Sequence, residues 1–216
     1  SDPCGTDPHD VAVGDFDADG DLDLLTTLHS PARLSLLRNL GNGTFAAPEY
    51  TSLPASANPQ GVIAPDLDSD GYADAVVASY DTDQVVFLHN LGNAQLAPIA
   101  QLGVGNGPSE LAAGDIDGDG DVDVVVANAL GNTLTVLRNL GASQFEVVEH
   151  IAVTATPKAL AFGRFFDRTT LDLAVAVHDS HAVCVLRNDG DGYFTLATTL
   201  SVPSGGYPEC VDVADF

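Results

Sequence analysis

Apolar residues occur along this chain in short bursts rich in valine, leucine and alanine, such as Val11-Ala12-Val13 and Val124-Val125-Val126. Polar, glycine- and asparagine-bearing stretches separate the bursts, and no segment keeps the three-and-four spacing of an amphipathic helix. The bursts repeat about every fifty residues, aligned on Asp15, Asp66, Asp115, Arg164 and Asp215. A proline opens each unit (Pro8, Pro59, Pro108, Pro157, Pro208) and is followed by a short apolar strand. An acidic stretch comes next, then a second strand at 24–28, 75–79, 124–128 or 173–177. A third strand ends in Leu37-Arg38-Asn39-Leu40-Gly41, Leu88-His89-Asn90-Leu91-Gly92, Leu137-Arg138-Asn139-Leu140-Gly141 or Leu186-Arg187-Asn188-Asp189-Gly190. These Asn-Gly turns are hairpin signals, and they place a fourth strand from Phe45, Leu96, Phe145 or Phe194.

Four short antiparallel strands per unit at this period predict an all-β chain of β-propeller blades. The blades fall at about 8–56, 57–106, 107–155 and 156–206, with the first strand of a fifth in 207–216. Fixed self-similarity favours one repeat region over a division by length.

The acidic stretches carry the chemistry. Three share one internal spacing: Asp15, Asp17, Asp19 and Asp23; Asp66, Asp68, Asp70 and Asp74; Asp115, Asp117, Asp119 and Asp123. Carboxylates this dense repel one another unless a cation lies among them. Hard oxygen donors at positions 1, 3, 5 and 9, with glycine at position 6 (Gly20, Gly71, Gly120), describe calcium. The backbone carbonyl at position 7 (Asp21, Tyr72, Asp121) adds another oxygen. An EF-hand needs a bidentate acid at position 12, where this chain has Thr26, Val77 and Val126, so the loops join strands instead. The fourth loop keeps an in-register acid only at position 9, Asp172, and predicts no calcium; Arg164 or Arg168 near Asp172 would stand in for the ion.

These motifs resemble FG-GAP/VCBS repeats, the type of integrin α-subunit propellers and of many secreted proteins. The matching features are the proline-led first strand ending in Gly-Asp, the DxDxDGxxD loop, and the Leu-Arg-Asn-x-Gly-x-Gly-x-Phe turn at 37–45 and 186–194. The resemblance implies that the calcium loops lie on one face. It places ligand recognition on the other, where His29, Tyr80, Asn128 and His178 would stand. It also implies a seven-bladed closed ring. Four units and one strand then describe either a fragment of a larger propeller or a chain that closes by self-association, since soluble proteins avoid open sheet edges.

Charge narrows the partners. There are 31 acidic residues against 7 lysines and arginines, a net −24 of which three divalent ions would cancel a quarter. No basic patch exists for nucleic acid. No apolar run is long enough to span a bilayer. All-aspartate calcium loops suit millimolar extracellular calcium, which makes the chain secreted or cell-surface. A Cys4–Cys210 disulfide fits that compartment, whereas Cys184 reads as a buried thiol. His178 and His181 are spaced for a transition metal, but they lie in a strand-connecting turn. Gly103, Gly105 and Gly107 precede a strand and cradle no phosphate, and Asn42-Gly43-Thr44 is accounted for by its hairpin. No nucleophile or acid–base constellation is evident. The expectation is a non-enzymatic, calcium-stabilised extracellular module binding a glycan or protein; the alternative is an accessory propeller domain of a larger secreted enzyme or adhesin.

Overall fold

The computed structural model describes residues 7–166, 169–203 and 206–214. Its sixteen strands form four sheets, each an antiparallel meander in chain order. The first sheet holds β1 (Pro8–Gly14), β2 (Asp23–Leu28), β3 (Arg33–Leu37) and β4 (Glu49–Ser52). The second holds β5 (Pro59–Ile63), β6 (Ala75–Ser79), β7 (Gln84–Asn90) and β8 (Leu96–Gly103). The third holds β9 (Pro108–Gly114), β10 (Asp123–Asn128), β11 (Thr133–Asn139) and β12 (Phe145–Ala152). The fourth holds β13 (Pro157–Gly163), β14 (Asp172–Val177), β15 (Ala182–Asn188) and β16 (Phe194–Ser201). No α-helix occurs among the described residues; Tyr80–Thr82 and His178–Ser180 each form one 3-10 turn.

The chain divides into two compact units, Ser1–Gly103 and Val104–Phe216, each containing two sheets. In the first unit Phe16, Leu25, Leu34 and Leu36 share a core with Val62, Val77, Val86 and Leu88. In the second, Ile116, Val125, Leu134 and Val136 share one with Leu173, Val175, Cys184 and Leu186. The buried thiol expected at Cys184 lies in that core. Strands β6, β10 and β14 are buried at every position, which explains their unbroken apolar runs. The fourth strands are mostly exposed, with β16 buried only at Phe194.

Two strands depart from expectation. In the first repeat Phe45 makes only an isolated bridge to Asn39, and β4 starts at Glu49. The other fourth strands skip one residue against the third strand, Ile99, Val148 or Ala197, as a β-bulge. The equivalent residue in the first repeat is Pro48, which has no N–H to continue the ladder and splits the strand there. Second, no strand forms over 206–214. The expected disulfide falls on Cys4, outside the described residues.

Candidate metal centres

Each acidic loop links the first strand of a sheet to the second, and its shape is set by carboxylates accepting backbone N–H groups. At position 1, one oxygen of Asp15, Asp66 and Asp115 accepts the N–H of the position-6 glycine at 3.0, 2.9 and 3.2 Å. At position 5, Asp19, Asp70 and Asp119 each accept the N–H two residues on at 2.9 Å. The glycines Gly20, Gly71 and Gly120 have φ of +90°, +92° and +96°, and no atom lies within 4 Å of where a Cβ would sit. Glycine is needed there for backbone conformation and not for space.

Position 9 has a separate task. Asp23, Asp74 and Asp123 are each 0% exposed. One oxygen accepts the N–H of the apolar position-2 residue (Phe16, Leu67, Ile116) at 3.0, 2.8 and 3.0 Å. The other accepts the N–H of the asparagine in the third-strand motif (Asn39, Asn90, Asn139) at 2.7, 2.7 and 2.8 Å. This aspartate therefore ties the start of the loop to the following hairpin. Asp172 makes the same pair of bonds in the fourth repeat, from Phe165 N–H at 2.9 Å and Asn188 N–H at 3.1 Å. A repeat with no other in-register acid still needs the clamp. Backbone amides hold Asp172; the expected role of Arg168 falls outside the described residues.

A basic side chain at or just past the end of the third strand meets each position-3 aspartate. Arg38 lies 3.3 Å from Asp17, His89 3.4 Å from Asp68, and Arg138 2.9 Å from Asp117. In the fourth repeat position 3 is Phe166, and Arg187 stands over its ring at 5.8 Å. Sequence reasoning did not connect these basic residues to the loops; their recurrence between Leu and Asn was the available signal.

The donor set fits a hard cation. Carboxylate oxygens of Asp15, Asp17 and Asp19, of Asp66, Asp68 and Asp70, and of Asp115, Asp117 and Asp123 converge within 4.8 Å in their respective loops. At that separation two carboxylates repel by about 3 kcal/mol at an effective dielectric of 20. Asp15 Oδ1, Asp17 Oδ1 and Asp68 Oδ1 are buried without a hydrogen-bond partner, a costly state for an anion's oxygen. Burial pushes the Asp123 carboxyl up to about 6 despite its two backbone bonds. Burial also raises Asp23, Asp74 and Asp117, and neighbouring carboxylates add to the rise. Oxygen-only donors, orphaned lone pairs and strained like charges match the needs of calcium.

A family model described as an FG-GAP-like repeat matches residues 15–77 and 66–126, together more than half of the chain. The chain belongs to the FG-GAP-like repeat family. No curated protein sequence matches this FG-GAP-like chain. Among solved structures it resembles a Bacteroides uniformis protein provisionally assigned as a 6-phosphogluconolactonase, with TM-score 0.69 and 17% identity over 90% of this chain and 55% of that one. It also resembles the periplasmic gluconolactonase of Pseudomonas aeruginosa, with TM-score 0.67 and 17% identity over 90% and 54%. A functionally unknown protein from Desulfotomaculum acetoxidans gives 0.64 and 16% over 88% and 55%. The chain spans about half the length of these structures. At such identities the likeness concerns fold alone, and that fold is β-propeller-like.

The FG-GAP-like loops between second and third strands hold the other expected residues. His29, Tyr80 and His178 each directly follow a second strand. His29 stacks on His9 with ring centroids 4.7 Å apart and lies 3.3 Å from Gln60 Nε2. Asn128 differs. It is 0% exposed, and its Nδ2 donates to Thr133 and Thr135 at 3.1 and 2.9 Å. The residue in register with His29, Tyr80 and His178 is Ala129, so Asn128 falls one position early and its side chain turns inward. His178 and His181 fall in no converging group of metal-ligating side chains among the described residues. Tyr207 packs against both rings, at 4.7 and 4.4 Å. Glu209 meets His178 Nε2 at 3.0 Å, while Gly206 O lies 3.0 Å from His181 Nδ1.

Proposed function

We propose that this chain is a calcium-stabilised, non-catalytic β-propeller module that acts outside the cell and recognises a glycan or protein. One observation carries the reading. Three loops at the same place in three repeats hold their carboxylates by the same backbone bonds, and two of them leave buried oxygens without a partner. Such loops are assembled in advance for an ion and disfavoured without it. All-aspartate loops of this kind fit calcium at the concentrations found outside cells. No catalytic role is assigned to the acids, because their oxygens serve the loop backbone and the ion. The lactonase activity named for two similar structures belongs to those proteins.

Recognition is assigned to the loops that follow the second strands, with Tyr80, His29 and His178 as contact residues and Tyr207, 59% exposed, beside the last. The Tyr207 ring packed against His178 and His181 suits stacking on a sugar or a peptide side chain.

Calorimetric unfolding in saturating calcium and in chelator tests the metal. Each site filled at a hundred times its Kd adds about 2.7 kcal/mol. The expected result is a large rise in Tm with calcium, and identical melting curves in the two buffers would overturn the reading. Glycan-array binding lost in Tyr80→Ala and His178→Ala, but kept in Asp19→Asn, tests the recognition face.

A further inference from the structure

The second acidic loop differs from the first and third in the basic side chain that faces it. Where those loops present Arg38 and Arg138 to the position-3 aspartate, this one presents His89. A guanidinium has no lone pair to give a metal, whereas a neutral imidazole is a common ligand. His89 Nδ1 lies 3.1 Å from Asp74 Oδ1 and 3.4 Å from Asp68 Oδ2. The three groups come from different places: the loop itself, its end before β6, and β7. Their ligand atoms all fall within 4.8 Å of one another.

From this we infer that the second loop binds a transition-metal ion of the zinc class through His89 Nδ1, Asp68 and Asp74. Bonds of about 2.0–2.1 Å in a tetrahedral site place neighbouring donor atoms roughly 3.3 Å apart, close to the separations from His89. The imidazole has one Nδ1 proton to share between two carboxylates, and a divalent ion in its place satisfies both at once. On binding, the ring takes its neutral form with the proton on Nε2, and the Nδ1 lone pair goes to the metal. Asp74 is already oriented, since its two oxygens accept the Leu67 and Asn90 N–H groups at 2.8 and 2.7 Å. Asp68 Oδ1 is buried without a partner in the same loop. A soft-to-borderline ion prefers a mixed nitrogen and oxygen set, and calcium an oxygen-only one. The first and third loops therefore keep calcium, while the second exchanges calcium for zinc.

This inference shares Asp68 and Asp74 with the calcium reading but does not require it, and one set of titrations separates the two. Zinc is titrated calorimetrically into the full chain and into His89→Arg, each with and without saturating calcium. Melting with calcium is recorded for both proteins. The expected result is a single zinc site per chain, displacing one calcium, with affinity falling about 30-fold or more in His89→Arg. The calcium-dependent rise in Tm should persist in that variant, whose second loop then has the arginine of its neighbours. Zinc binding undiminished in His89→Arg, or absent from the parent chain, overturns the inference and leaves the calcium reading untouched. A His89-dependent zinc site with no calcium effect on melting supports the inference and removes the calcium reading. If His89→Arg fails to fold, Co2+ in the parent chain decides. Paramagnetic broadening centred on the His89 imidazole supports the site, and broadening centred on His178 or His181 overturns it.

Discussion

The position-9 aspartate has a structural task that does not need a metal. Asp172 is fully buried, and its oxygens receive backbone N–H groups from Phe165, Phe166 and Asn188 in a loop that lacks the other in-register acids. Replacing it with asparagine turns an amide N–H toward a buried N–H and leaves both without an acceptor. Asp172→Asn should therefore cost about 2 kcal/mol, equally in calcium and in chelator, by denaturant unfolding. Asp19→Asn should behave in the opposite way. Asp19 is exposed and its Oδ1 accepts Asp21 N–H, a bond that asparagine keeps. The variant should melt no lower than the parent in chelator, yet lose roughly a third of the calcium-induced rise, since one of three proposed sites is impaired. A calcium-dependent cost for Asp172→Asn would mean that the fourth loop binds an ion after all. The sequence alone could not divide these roles, because aspartate serves both. The lone survival of Asp172 in the fourth loop was the residue-level sign that position 9 does something the ion does not.

At the level of strands and loops, most of the architecture was readable because period, turn chemistry and apolar bursts agreed with one another. The second strands were expected at 24–28, 75–79, 124–128 and 173–177, and β2, β6, β10 and β14 cover those residues, three of them starting one residue earlier at the clamp aspartate. The failures have local causes. A bulge leaves no mark on an apolar alternation, so the late start of β4 was hidden, although Pro48 at the bulge position was a visible warning. Asn128 was expected on the recognition face although it closes the second strand, and a shift of one residue reverses the face a strand side chain occupies. The connecting loops themselves depend on backbone conformation. Gly120 has φ +96° and open space around its missing Cβ, so Gly120→Ala should cost about 1–2 kcal/mol through backbone strain alone. The loss should appear in chelator as well as in calcium. An alanine variant as stable as the parent would mean that the loop takes another conformation in solution.

For the whole molecule, charge and proton binding act together. Net charge is −24, and the carboxyl groups whose affinity for protons rises on folding lie in the acidic loops. Asp123 is held at about 6, against an ordinary aspartate near 3.8. A group raised in this way binds its proton more tightly in the folded chain than in the unfolded one. Its contribution is present below the ordinary value and is lost as pH rises through about 6. For Asp123 alone that amounts to ~3 kcal/mol, and Asp23, Asp74 and Asp117 act in the same direction. Asp179 acts the other way: hydrogen bonds from Thr156 and then His178 hold it low, so its contribution is lost as pH falls. It is exposed and a single group, and the buried set outweighs it. Calcium reverses the trend, because it binds the ionised carboxylates and competes with their protons. Calcium-stripped protein should thus melt at a higher temperature at pH 4.5 than at pH 7.5, while calcium-loaded protein should melt higher at pH 7.5. Two melting profiles against pH that cross are the signature of acidic loops built around an ion; profiles that run parallel would mean that the loop carboxylates are neutralised by the protein itself.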